Sequence, residues 1–288
     1  MHKNGGSIYS SKQWYEYDPF MLNNMKLTID RLVKAINERE KIVIYGSSDV
    51  DSIFGVSLLL LVLKYLNADV EYYISENINE NCKLDSEVIK NHIKFLGADV
   101  LISIGCSIES LEQEVLCKNI GMDIIVTDNK SEDNLTHSLV INPNLKGSNY
   151  KEKELSNSGV VFKLCQAIAS YYNMKSINKY IDLVMLGTLA SGKALKGENS
   201  IIYEGGLSYL PHTNNYGLRA LMKYHNIHEF NYKNLKNIVF LLTPTLNAIG
   251  RMDNARIVVE LLTTNDAYRA AQIAKYLSKE VNNNILNT

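Results

Sequence analysis

Short β-branched runs alternate with longer apolar stretches, and this spacing leaves few choices of fold. KIVIYG (41–46), DVEYYIS (69–75), DVLISIG (99–105) and MDIIVTD (122–128) read as strands, because β-branched and aromatic side chains suit a pleated surface. Between them, 53–66, 86–96 and 108–118 read as helices. Strands alternating with helices imply right-handed crossovers, which predicts an α/β fold: a mostly parallel sheet flanked by helices. Such sheets gather ligands at the carboxyl ends of their strands. Here those ends carry Ser47–Ser52, Gly105 and Asp128–Lys130.

Ahead of the first strand, 18–38 is an amphipathic lead-in helix, with Met21, Met25, Ile29, Leu32 and Ile36 near helical spacing. Beyond an Asn142-Pro143 turn, SGVVFKLCQAIASYY is a helix and YIDLVMLGTLAS a second apolar segment ending in a polar loop. The final stretch from Asn265 or Asp266, each a plausible N-cap, is helical.

Hydrophobic residues make up 46% of the 288 and charged residues 21%, so the chain has the composition of a globular protein and not of a disordered one. Its formal charge of -1 provides no global positive field toward a polyanion, although a local groove can still be basic. The apolar run Leu58–Leu63 is too short to cross a bilayer, and no charged stretch followed by an apolar one opens the chain. A cytoplasmic protein without membrane contact is the expectation. Cys82, Cys106, Cys117 and Cys165 form no CxxC pair and no zinc-type spacing, so they are expected to be reduced, buried and inert.

Ten segments in order resemble the signature segments of RecJ-type single-strand-specific exonucleases of the DHH phosphoesterase superfamily. They are DPFMLNNM, IVIYGSSDVDS, SIGCSIES, IIVTDNK, INPNL, LSNSGVVFKL, YIDLVMLGTLAS, LKGEN, GGL and PTLNAIGRM. The resemblance implies a DHH-type α/β domain over 41–264, preceded by an extension and lead-in helix over 1–40. It also implies that 265–288 begins a connecting helix whose second domain is absent.

In that family the first strand ends in an acidic loop whose last two Asp hold divalent metal, and Asp49 and Asp51 match them. Carboxylates from one loop grip hard cations that polarise a phosphodiester and generate hydroxide between two metals. The preceding family His and Asp are Tyr45 and Ser47 here, and the following Gly is Ser52. The Asp that ends the next metal-binding strand is Gly105. The motif Asp-His-His reads Asp128, Asn129, Lys130, and the Asp of the last ligand segment is Ser191.

Three acids therefore remain at ligand positions, Asp49, Asp51 and Asp128. They are enough for one weakly bound Mg2+ or Mn2+ with waters, or for no metal at all, but not for a bridged pair. A lysine ammonium at position 130 repels a divalent ion or fills its place. Each acid also has a plainer reading, as a cap of the following helix or a turn residue. Lys130, Asn247 and Arg251 are the candidates for substrate contact, and Arg251 could instead fasten its own loop.

Two functions follow from the resemblance. The first is a catalytically inactive module of DNA metabolism that binds single-stranded nucleic acid or a replication or repair protein. The alternative is a divergent metal-dependent single-strand exonuclease or small-nucleotide phosphodiesterase with a reduced metal site.

Overall fold

The β-branched runs pair as their alternation requires. In a computed structural model describing residues 8–75, 82–108, 110–130, 138–174, 177–244 and 251–286, five parallel strands lie in the order β2-β1-β3-β4-β5. They are β1 (Ile42–Gly46), β2 (Val70–Ile74), β3 (Val100–Ile104), β4 (Asp123–Thr127) and β5 (Leu139–Ile141). The four expected strands form. β5 was not expected: its three residues before the Asn-Pro turn are too short for periodicity to register.

Period-two alternation sorts the side chains of the sheet onto two buried faces. Ile42, Ile44, Ile102, Ile104 and Ile125 join the larger core, while Val43, Tyr45, Leu101, Ile124 and Val126 join the smaller one. Ahead of the sheet come α1 (Ser11–Glu16) and α2 (Met25–Glu38). The β1–β2 crossover is α3 (Val50–Tyr65), apolar all round because it is enclosed by the sheet and later helices. Gly55 lets it sit close, since a Cβ there would lie 3.2 Å from Ile104 and 3.3 Å from Val161.

The smaller face is covered by α4 (Ser86–Val88), which continues as a π-turn over Ile89–Ile93, and by α5 (Leu111–Asn119). After β5 the chain is helical: α6 (Asn157–Tyr171), α7 (Ile181–Ala190), α8 (Gly197–Tyr209), α9 (Tyr216–Tyr224), α10 (Tyr232–Leu241), α11 (Arg251–Thr263) and α12 (Ala267–Leu286). Among the described residues, no helix is long and apolar enough to cross a membrane.

One feature departs from expectation. Cys82 and Cys106 are joined as a disulfide, whereas Cys117 and Cys165 are buried free thiols as anticipated. The pair escaped sequence reading because 24 residues separate its members and only the β2–β3 crossover brings them together. The segment ahead of β1 is anchored to the rest of the fold. Tyr9 is buried in the main core, its hydroxyl donating to Glu198 at 2.7 Å, and Lys163 Nζ donates to the Tyr17 carbonyl at 2.7 Å.

A candidate site at the carboxyl edge of the sheet

β1 and β3 are neighbours whose outgoing chains run to opposite sides, toward β2 and β4, so their carboxyl ends form the topological switch point of the sheet. In register, Gly46 pairs with Ile104 and Ile104 with Thr127. The pairing runs past the strand ends: Ser47 N donates to Ile104 O at 3.1 Å and Gly105 N to Thr127 O at 3.0 Å. The loops carrying Asp49, Asp51, Gly105 and Asp128 are thereby brought side by side, as the sequence predicts.

Asp49 is exposed and caps α3, accepting from Ser52 N at 2.9 Å. Asp51 differs. It is buried in the first turn of α3 and reaches the N-terminus of α6, accepting from Asn157 N at 2.6 Å and Ser158 N at 3.0 Å, and from Ser158 Oγ at 2.5 Å. Its two oxygens thus meet orphan donors of the first turn of α6. Ser158 Oγ lies 3.0 Å from Ser156 Oγ, which lies 3.0 Å from Thr188 Oγ1, and Ser156 also caps α6 through Gly159 N at 2.9 Å. Gly187 permits this approach of α7, because a Cβ there would collide with Ser158 Oγ and lie 3.1 Å from Asp51 Oδ1.

Gly105 has φ +69°, and a Cβ on it would collide with Ser52 Oγ and lie 2.7 Å from Asn157 Nδ2. Those two side chains bond each other at 3.0 Å, so the volume beside the end of β3 is already filled. Tyr45, one residue before the end of β1, packs on Tyr73 with ring centroids 5.3 Å apart, in the smaller core that also holds Cys106.

Residues 41–188 match the DHH family, N-terminal domain. The chain belongs to the DHH family. Single-stranded-DNA-specific exonuclease RecJ of Bacillus subtilis (strain 168) is 32% identical over 260 residues, which cover 90% of this chain but 32% of that protein, so the chain spans about a third of its relative's length. Exonuclease RecJ bound to manganese superposes with a TM-score of 0.79 at 25% identity, over 91% of this chain and 66% of that one. RecJ from Thermus thermophilus in complex with Mn2+ superposes with a TM-score of 0.77 at 25% identity, over 91% of this chain and 38% of that one.

The motif that names the family is tied down locally. Asp128 Oδ1 accepts from Asn129 N at 2.7 Å and Lys130 N at 3.3 Å, an Asx-type turn. Asn129 Nδ2 donates to Leu155 O at 2.9 Å, Asn142 Nδ2 to Lys130 O at 2.8 Å and Asn144 Nδ2 to Asn129 O at 2.7 Å. Ser191 ends α7 with its hydroxyl turned back onto Thr188 O at 2.7 Å. Arg251 opens α11, but its side chain, like all of Asn247, lies outside the described residues.

Among the described residues, no three His, Cys, Asp or Glu side chains converge as a metal cage. The donors of this cluster do not fit a bridged pair of divalent ions. Asp51 is committed to α6, the place beside Gly105 is filled by Ser52 and Asn157, and an amide and an ammonium follow Asp128. Sequence reading missed Ser156, Ser158 and Asn157. The Ser-x-Ser-Gly before an apolar run was an N-cap signal, but its contact with Asp51 spans more than a hundred residues.

Burial and the nearby Asp49 push the Asp51 carboxyl up to about 7, against the pull of its bonds to Ser158 and Asn157. Burial likewise pushes Asp182, in the first turn of α7, up to about 6, against its bonds from Thr213 and Leu183 N. A carboxyl raised on folding makes the folded state take up protons that the unfolded chain releases, so its stabilisation is complete below about pH 4 and disappears as pH rises through the folded value. The stability of the wild type relative to Asp182→Asn is therefore expected to fall by about 2 kcal/mol between about pH 4.5 and 7.5. Denaturant melts of both proteins across that range measure it, and a constant difference refutes it.

Proposed function

We propose that this DHH-family chain is a RecJ-like module of DNA metabolism that does not cleave phosphodiesters by the two-metal route and works by binding. Its partner is single-stranded nucleic acid or a replication or repair protein, and its place is the cytoplasm. The observation that carries this reading is the double occupation of the site: Asp51 is spent on the amides of α6, and the Ser52–Asn157 pair fills the space beside Gly105. Two-metal cleavage needs charge neutralised at both the attacking and the leaving oxygen, and this donor set positions no such pair. Lys130 and Arg251 are the proposed contacts for a phosphate backbone, with Asn247 beside Arg251 in sequence.

The purified chain is expected to leave 5′- and 3′-labelled single-stranded DNA intact with Mg2+ or Mn2+, and calorimetry with Mn2+ to detect no two high-affinity sites. Digestion that Asp49→Ala abolishes would overturn the reading. Gly105→Asp alone is not expected to restore metal binding, because the new side chain enters occupied space at a backbone angle unsuited to it. Substituting Ser52→Gly and Asn157→Gly with it opens that space. The exposed carboxylate of Asp49 supports a second reading, a single-ion phosphodiesterase of small nucleotides. That reading predicts one weak Mn2+ site removed by Asp49→Ala.

A further inference from the structure

Cys82 and Cys106 are both buried, their Cα atoms 4.5 Å apart across the disulfide. Cys106 directly follows Gly105, so one sulfur belongs to the rim of the candidate site. The other precedes Lys83, which pairs with Ser107 as a single parallel bridge: Ser107 N donates to Cys82 O at 3.0 Å and Leu84 N to Ser107 O at 2.9 Å. Gln113 of α5 adds a bond from Nε2 to Leu84 O at 2.6 Å. One covalent bond and three hydrogen bonds thus hold residues 82–84 against 105–107 or α5.

We infer that Cys82 and Cys106 form a reversible thiol–disulfide switch that fixes residues 82–84 to the Gly105–Ser107 rim or releases them from it. The two ends are held unequally. Cys106 is fastened to the sheet, because Ser103 Oγ donates to its carbonyl and Gly105 N pairs with Thr127 O at 3.0 Å, whereas Cys82 is held by a bridge one residue long. Two thiols must sit at van der Waals distance, well beyond a sulfur–sulfur bond. Tyr45, Tyr73, Leu84 and Ile89 pack in the same cluster, so the room comes from moving 82–84 and loosening its bonds to Ser107.

The exchange is confined to this pair. Cys117 and Cys165 are buried, and burial pushes the Cys117 thiol up to about 12 and raises Cys165 as well, so neither supplies a thiolate nucleophile at neutral pH. In the forward step the two cysteine thiols react with the disulfide of a small thiol or of a dithiol oxidoreductase. The sulfur–sulfur bond between Cys82 and Cys106 forms, that of the oxidant breaks, and two electrons and two protons end on the two thiols it releases. The switch does not depend on whether the site turns over a substrate.

The test equilibrates the whole chain in a series of reduced-to-oxidised glutathione ratios, followed by acid quench, alkylation and mass analysis. Within the series the 82–106 pair is expected to pass from two thiols to one disulfide while Cys117 and Cys165 remain thiols. The oxidised protein should melt roughly 5–10 °C above the reduced one. Its amide exchange at Leu84 and Ser107, the two donors of the Lys83–Ser107 bridge, should be at least about tenfold slower, a tenfold change being the scale of one lost brace in local opening. Cys82→Ser, which leaves the rim residue in place, should melt and exchange identically at every ratio. Four free thiols in oxidised glutathione alone overturn the inference, and so does a pair that stays oxidised at the most reducing ratio. Exchange at Leu84 and Ser107 that ignores oxidation also overturns it.

Discussion

Asp51→Ala is expected to cost about 3–5 kcal/mol of stability and to lower Tm by roughly 10 °C, because it strips a buried carboxylate from the donors it satisfies. The Asn157 and Ser158 amides and the Ser158 hydroxyl would all lose their acceptor in the first turn of α6, where water cannot replace it. Asp51→Asn keeps the size but provides one acceptor oxygen where the carboxylate provides two, so it should lose an intermediate amount. Asp49→Ala should cost only about 1 kcal/mol, the usual value of an exposed N-cap. Denaturant melts of the metal-free protein separate these cases. Equal, small losses at positions 49 and 51 would mean that Asp51 does not dock α6.

Breaking the Lys163–Glu198 pair should be as damaging. Lys163→Met is expected to cost about 3–5 kcal/mol, since it leaves a wholly buried carboxylate without its cation. Lys163 Nζ lies 2.8 Å from Glu198 Oε1, both side chains being fully inaccessible, and Tyr9 and Tyr150 donate to the same carboxylate at 2.7 and 2.6 Å. Burial lowers the Lys163 ammonium from its usual value and Glu198 opposes that shift. The double substitution Lys163→Met, Glu198→Gln should recover at least half of the loss, because a neutral amide no longer demands a cation, its oxygen accepts from one tyrosine and its NH2 donates to the hydroxyl of the other. Chemical melts of the single and double variants measure this. A single variant within about 1 kcal/mol of wild type, the scale of an ordinary hydrogen bond, would refute it.

This pair also explains two of the signature segments. Lys163 lies in LSNSGVVFKL and Glu198 in LKGEN, and their meeting ties α6 to the start of α8 and to the segment ahead of β1. At the start of α8, Gly197 has φ +55°, and a Cβ there would collide with Glu152, which accepts from Glu198 N at 3.2 Å. The glycine is thus required by a close approach on a left-handed backbone.

The sequence by itself determined four of the five strands, their parallel arrangement and the edge at which the candidate residues gather. Alternating β-branched runs and helical stretches can bury both faces of a sheet only as parallel crossovers, and polar residues at the ends of β1, β3 and β4 can only gather at one edge. The motif order was also enough to reveal the family, because ten local signatures in register are independent of any contact between them. Which acids remain available was decided by tertiary structure alone. Asp49 and Asp51 are two residues apart and identical in type, yet one caps its own helix in solvent while the other is buried against a helix that begins more than a hundred residues later. The same holds for Cys82 with Cys106 and for Lys163 with Glu198, each pair written as unrelated residues in distant segments. Local periodicity carries the information for elements, whereas the commitment of a buried polar atom depends on which distant donor the packing delivers to it.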